Sequence, residues 1–303
     1  MDRRRFLTTS AVAAAATAAA AAPTVAPRPQ NPPRGPFRLR YAPHFGMFQH
    51  HAPDLLDQLQ FAFDQGFRAW EDNGMAGRPV AEQERIAAKM EQLGIEMGVF
   101  VAHADFRAPT FASGKAEHRD RVLADLKAAV EVGKRVRAKW CTVVPGTVDP
   151  RQEPGFQTAN VVDLLKRCAD VCAESGLIMV LEALNFRDHP TLLLTKIAQG
   201  YQICRAVAHP SCKLLDDLYH QQVSEGNLIP NLDRAFDEIA YFQIGDNPGR
   251  NEPGTGEVHF KNVFGHLHGK GYAGLLGMEH GNSRGDRDGE LAVIEAYRQA
   301  DAY

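Results

Sequence analysis

The 303-residue sequence predicts an α/β fold closed as a parallel (β/α)₈ TIM barrel, on three observations. From Phe37 onward, short apolar runs alternate with long amphipathic ones, which implies a parallel sheet with crossover helices. The alternation completes eight rounds over about 265 residues, close to the usual size of an eight-stranded barrel. No G-x-G-x-x-G follows the first strand, so the rival, a doubly wound open sheet, lacks its nucleotide-binding fingerprint.

The strands are expected over residues 37–43, 67–71, 96–102, 140–144, 178–183, 213–218, 240–244 and 274–279. Helices are expected over 53–65, 79–93, 115–137, 158–175, 191–208, 231–239, 257–270 and 288–300. Pro53 and Pro79 open helices where a missing N–H costs nothing. Gly94, Gly176 and Gly271 stand just past helical runs, where a left-handed residue ends the helix.

Before the barrel, residues 1–26 read as a signal peptide. Arg3, Arg4 and Arg5 precede an Ala-rich run, and Arg3-Arg4-x-Phe6-Leu7 resembles the twin-arginine export signature. The run lacks bulky apolar residues, so no stable membrane anchor is expected. A Pro-rich tether over 27–36 leads into a single catalytic domain over 37–303, and the expected location is the periplasm. Export of an already folded chain lets it take up a metal in the cytoplasm, where supply is controlled.

The chain carries a formal charge of −3, and with +2 in its first five residues the remainder is near −5. An acidic body argues against nucleic acid or anionic membrane as a partner. A small-molecule substrate is the expected partner, and a homo-oligomer is compatible with the sequence. Five cysteines, without a C-x-x-C pair, read as buried inert thiols, with a disulfide left open by an oxidising compartment.

In a barrel of this kind the chemistry sits at the C-terminal strand ends. The fifth strand ends at Glu182, with Asn185 and Asp188 just beyond; the sixth at Asp216-Asp217, then His220; the seventh at Gln243, then Asp246; the eighth at Glu279-His280. Carboxylates crowded together repel unless they protonate or a cation binds them. Oxygen donors suit Mg²⁺ or Mn²⁺, with Co²⁺ also compatible. Taken singly, each acid has an equally good reading as a satisfied buried group or a helix N-cap.

VLEALNFRDHP, LLDDLYHQQ, QIGDNPGRNEPGTGE and GMEHG together resemble the hydroxypyruvate isomerase group of the xylose-isomerase-like TIM barrels. The resemblance spans essentially the whole chain after the leader, and the loop at 243–257 is its most specific part. It implies a divalent metal held by Glu182, Asp217, Gln243 and Glu279, with Glu182 and Glu279 as the catalytic acid/base pair. The related ketose 3-epimerases place a His where Gln243 stands, and their Asp-x-x-His element matches Asp217–His220. That match selects Asp217 over Asp216, which is then expected at the barrel wall or a neighbouring backbone. His220, Arg250 and Asp188 are the candidate substrate contacts, Arg250 for a carboxylate.

The reaction this implies is an aldose–ketose isomerisation of hydroxypyruvate or a similar α-hydroxy carbonyl compound through an enediolate. A ketose 3-epimerase, a sugar isomerase or an inosose dehydratase would use the same site, and an exported noncatalytic binding protein would retain it. A metal-dependent DNA-repair endonuclease would want more His ligands and a basic surface. Among the remaining residues, His44 could line the mouth, while His50 and His51 read as solvated loop. Glu71 and His103 stand between a site role and a structural one. His266 and His268 read as structural, His280 as a partner behind Glu279, and Glu257 as the opening of the next helix.

Overall fold

The computed structural model describes residues 34–303, so the expected leader and most of the tether lie outside the described residues. Arg34 N–H donates to Asp64 O at 2.8 Å and Gly35 O accepts from Arg298, so the last tether residues already pack on the barrel. Among the described residues no helix is long and apolar enough to cross a membrane.

In chain order the elements are β1 (Arg40–Ala42), α1 (Leu55–Asp64), β2 (Ala69–Trp70), α2 (Val80–Leu93), β3 (Glu96–Met97), β4 (Val101–Ala104), α3 (Ala116–Val136), β5 (Trp140–Val144), α4 (Pro154–Ala173) and β6 (Ile178–Glu182). Then follow α5 (Ile197–Val207), β7 (Cys212–Asp217), α6 (Leu218–Ser224), α7 (Leu228–Ala235), β8 (Ile239–Gln243), α8 (Phe260–Gly269), β9 (Leu275–Gly277) and α9 (Arg287–Ala300). Seven strands form one parallel sheet in the order β1-β9-β8-β7-β6-β5-β4, and β2 pairs with β3. The third barrel strand is thus in two pieces, β3 and β4, separated by Gly98-Val99-Phe100. Bonds from Glu71 N to Pro43 O (2.9 Å) and from Thr142 N to Phe100 O (2.8 Å) carry the backbone ladder across the remaining joints. The ring therefore closes with eight strands, as the alternation predicts.

Strand parity decides what enters the barrel. Ala42, Ala69, Val99, Trp140, Val180, Leu215, Tyr241 and Leu275, one from each barrel strand, form a buried interior cluster. Two residues further on, the same inward phase reaches Glu182, Asp217, Gln243 and Gly277. Asp216 has the opposite phase, pairs in register with Phe242, and so enters the layer between sheet and helices.

Gly94, Gly176 and Gly271 take φ of 66°, 74° and 73°, as helix stops should. Three expectations shift. Residues 191–195 do not start α5, because Leu192 bridges to Thr147 and the two adjoining loops pair. Helix α6, absent from the prediction, starts directly after β7 because the Asp217 side chain accepts from Tyr219 N–H and His220 N–H as its N-cap. Helix α8 begins at Phe260, so Glu257 does not open it; its carboxylate accepts instead from Asn247 Nδ2 (2.8 Å) and Gln222 Nε2 (3.1 Å). All five cysteines are buried and free.

Candidate active site

The loop after β8 is organised by one acid. Asp246, fully buried, accepts from the backbone N–H groups of Asn247 (2.9 Å), Gly254 (2.8 Å), Gly256 (2.9 Å) and Val258 (3.1 Å). Gly256 has to be glycine here, since a Cβ would lie 2.3 Å from Asn247 O and 2.5 Å from Asp246 Oδ1. Asp246 O also accepts from Arg250 N–H at 2.8 Å, holding Arg250 at a φ of 50°. Strain of that kind persists only where the surroundings over-determine it.

The side chain so presented reaches the barrel mouth. Arg250 Nη2 lies 2.8 Å from Asp217 Oδ2 and 2.8 Å from Glu279 Oε2, and Nε donates to Glu279 O at 3.1 Å. Its guanidinium lies 5.0 Å over the Tyr219 ring. On the other flank His220 Nε2 stands 3.6 Å from Asp217 Oδ2 and 3.8 Å from Glu182 Oε1. Glu182, His220, Asp217, Arg250 and Glu279 thus form one continuous cluster, with the two glutamates at its ends.

Burial sets the protonation of these groups. The Glu182 carboxyl is pushed well above its ordinary range by desolvation, reinforced by the charges of Glu279 and Asp217. Glu279 is pushed up to about 7 by burial, against the pull of Arg250. Burial also works against Asp217, but the Arg250 guanidinium and two backbone N–H groups hold it below the usual carboxylate range. Burial lowers His220 to about 4. The arrangement therefore keeps one ionised acid beside two readily protonated ones, a division suited to moving protons.

Gln243 lies beneath this cluster. Its Nε2 donates to Glu71 Oε1 at 2.9 Å, and Tyr241 OH donates to Glu71 Oε2 at 2.8 Å. Gln243 Oε1 is left buried with no hydrogen-bond partner. Gly277, in register beside Gln243, gives Glu71 its room: a Cβ there would lie 1.8 Å from Glu71 Oε2. Glu71 is the residue whose importance the sequence underrates. Its only local signal was an acid at the end of a strand.

The donor set fits a divalent cation. Glu182, Asp217 and His220 offer ligand atoms within 4.8 Å of one another. Asp217 and Glu279 pair with the Arg250 guanidinium, whose charge also reaches Glu182, while Glu71 is buried close enough to feel the charges of Glu279 and Asp217. The acceptor Gln243 Oε1 is buried here with no hydrogen-bond partner. Oxygen-rich, negatively charged surroundings of this kind favour a hard or borderline cation.

Other expected residues fall in different places. Asp188 is exposed; it accepts from Asn185 Nδ2 (2.8 Å) and Tyr219 OH (3.1 Å), which hold its carboxyl below the usual range. Asp216 finds neither wall partner nor backbone: both carboxylate oxygens are buried and unpartnered, and burial raises its pKa strongly. His50 and His51 lie in a turn as expected, and His50 is exposed, but both rings and both backbone N–H groups engage Glu290 of α9, which shields the His51 side chain. His103 bonds to Asp125 and Thr110, and His280 turns to Gly281 O and Tyr297 OH, away from the cluster. His44 meets Phe45 O and His280 O, while His266 binds Asp233 in the structural role expected of it. Glu252 accepts from Ser283 and ties the two last loops together.

A family model described as xylose isomerase-like TIM barrel matches residues 59–300. The chain belongs to this family. It is 25% identical over 260 residues to the 2-oxo-tetronate isomerase of Pectobacterium atrosepticum, covering 85% of this chain and 97% of that one. It is 30% identical over 169 residues to the hydroxypyruvate isomerase of Escherichia coli, covering 54% of this chain and 62% of that one. Three solved structures share the fold. An AP endonuclease of family 2 from Brucella melitensis has a TM-score of 0.74 at 21% identity, covering 86% of this chain and 99% of its own. The IolI protein with a bound zinc atom has 0.70 at 17%, covering 86% and 96%. The D-psicose 3-epimerase of Clostridium cellulolyticum has 0.67 at 16%, covering 87% and 96%.

Proposed function

We propose that this family member is an isomerase of the hydroxypyruvate or 2-oxo-tetronate type, moving a carbonyl between adjacent carbons of a small α-hydroxy carbonyl acid through an enediolate. The observation that carries it is the pair Glu182 and Glu279, both with raised pKa, at the two ends of a cluster that keeps Asp217 ionised. The relatives named as isomerases of such acids support the substrate class.

In this reading one glutamate takes a proton from carbon and the other returns one to its neighbour. A carboxyl poised near 7 suits either direction at neutral pH. Glu182, Asp217, Gln243 and Glu279 would hold a divalent cation, Mg²⁺ or Mn²⁺ by the oxygen-rich set, which supplies Lewis-acid polarisation of the substrate carbonyl. Arg250, already aligned against two carboxylates, is the group to receive a substrate carboxylate. His220 faces a substrate oxygen from the opposite flank, and Asp188 stands at the rim beside Tyr219.

The shared fold with a ketose epimerase keeps a second reading open: the same acid/base pair returning the proton to the same carbon from the other face. A panel of hydroxypyruvate, four-carbon 2-oxo acids and ketoses in D₂O, with metal-loaded protein, separates these readings. Carbonyl transfer with solvent deuterium at a substrate carbon supports isomerisation. Inversion with deuterium at one carbon selects epimerisation, and no exchange in any substrate leaves only a noncatalytic binding role. Export through the twin-arginine leader is part of the proposal, and cell fractionation that finds the full-length product only in the cytoplasm would remove it.

A further inference from the structure

His220 belongs, by distance alone, to the group of side chains able to hold a metal. Its hydrogen bonds assign it a different task. The Asn185 backbone N–H donates to His220 Nδ1 at 3.2 Å, and a backbone amide can only donate. The Asn185 side chain points its Nδ2 at the same ring nitrogen, 2.7 Å away. That amide cannot be reversed, because its Oδ1 accepts from the backbone N–H groups of Arg187 (3.0 Å) and Asp188 (2.9 Å). Nδ2 also donates to the Asp188 carboxylate at 2.8 Å. Asn185 and His220 are both fully buried, so water does not relieve a mismatch.

Two donors converging on Nδ1 require a lone pair there. A doubly protonated ring would set N–H against N–H, and the Nδ1–H tautomer would do the same. The ring is therefore neutral with its proton on Nε2. A metal ligand needs a lone pair, which Nε2 in this tautomer lacks. At 3.6 and 3.8 Å, Asp217 and Glu182 are too far to accept its proton, and Nε2 has no other partner. A buried donor aimed into the cluster stabilises charge that develops on a substrate oxygen as a proton leaves carbon.

We propose that Asn185 is a positioning residue that locks His220 in the Nε2–H tautomer, making His220 a neutral hydrogen-bond donor to a substrate oxygen and excluding it from the metal's ligand set. The choice of oxygen rests on the isomerase reading; the tautomer does not. The contrast with His103 supports the logic. There Nδ1 faces the carboxylate of Asp125 at 2.8 Å, an acceptor, which selects the opposite tautomer.

The test is nitrogen-15 NMR of the full-length protein labelled at histidine, with the His220→Gln variant to assign the ring. The expected result is a pyridine-type Nδ1 and a pyrrole-type Nε2 for His220, retained when one equivalent of Zn²⁺ is added. A pyrrole-type Nδ1, or loss of the Nε2 proton on adding Zn²⁺, overturns the proposal. Asn185→Leu removes the 2.7 Å side-chain donor to Nδ1 and leaves only the 3.2 Å backbone N–H to hold the tautomer. It is expected to move the His220 signature toward a pyrrole-type Nδ1 and to lower kcat by about 100-fold, with a smaller effect on KM. A reversed signature with unchanged kcat overturns the donor role. The wild-type signature without turnover of any substrate in the panel overturns the isomerase reading and leaves the tautomer assignment standing.

Discussion

At the lower end of the barrel, buried and half-buried acids have partners; at the upper end several do not. Below, Asp301 accepts from Arg38 N–H, Leu39 N–H and Tyr41 OH, Glu238 accepts from Lys213, and Glu96 pairs with Arg40. Above, Glu182 and Asp216 have raised pKa values through burial, and Gln243 Oε1 and His220 Nε2 are unpartnered. The same strands run through both ends, so the difference lies in what each end is for. Satisfied acids at the bottom close the barrel. Crowded acids at the top cost stability, and proteins retain such groups where the perturbed state is used.

Asp246 sharpens the comparison within the upper end itself. It is as buried as Asp216 but accepts four backbone N–H groups, and its work is to shape the loop that carries Arg250. Position at a strand end is therefore not sufficient for chemistry. The acids whose side chains enter the inward cluster, Glu182, Asp217 and Glu279, are the candidates, and Asp216, buried but pointing outward, is not.

The largest expected effect is on turnover. Glu182→Gln or Glu279→Gln should lower kcat by about 10²- to 10⁴-fold without lowering the melting temperature, since each replaces a carboxyl whose ionised form burial already disfavours by a neutral group of the same shape. Steady-state kinetics beside calorimetry checks this, and an active double variant would dissolve the distinction between the two ends. Next in size, Glu71→Leu should weaken divalent-cation binding by about 10- to 100-fold through loss of the amide orientation of Gln243. Glu71→Gln, which keeps an acceptor for Gln243, should lose much less. Titration calorimetry with Mn²⁺ reads both.

A smaller effect is expected from pH. Burial raises Glu279 from 4.5 to about 7, so between those values the folded state holds a proton that the unfolded chain has released. Stability then falls as pH rises through that window. Glu71 and Glu182, also raised, act in the same sense. His220 and His280, lowered by burial from 6.5 to about 4, act in the opposite sense below about pH 6.5, so the Glu279 contribution is read as a difference. In cation-free protein, Glu279→Gln should gain melting temperature relative to wild type as pH rises from about 5 to about 7, and a difference that is flat or of opposite sign over this window would contradict the assignment. The smallest effect belongs to the lower end. Arg40→Ala breaks a half-exposed pair with Glu96 and should change stability by no more than about 1 kcal/mol, with turnover unaltered.

Much of this molecule is legible in one dimension. Apolar runs and turn residues locate the strand ends that carry Glu182, Asp216-Asp217, Gln243 and Glu279 from local sequence, while the choice of Asp217 over Asp216 came from the resemblance to the epimerases' Asp-x-x-His element. Helix α6 was hidden because it is only seven residues long and follows the strand without a turn; one oxygen of its N-cap, Asp217, caps the helix and the other faces Arg250. The anchoring of the loop residues His50 and His51 was not legible because their partner, Glu290, lies about 240 residues away.

The sequence by itself determined the barrel and the strand ends at its mouth, because periodicity, helix stops and glycine turns are set by neighbours along the chain. Only the tertiary structure decided what those residues are to one another. Gln243 meets Glu71 across 172 positions, Asn73 meets Glu279 across 206, and Asn185 meets His220 across 35. Protonation, amide orientation and tautomer depend on such through-space contacts and on burial, and neither is written in the order of residues.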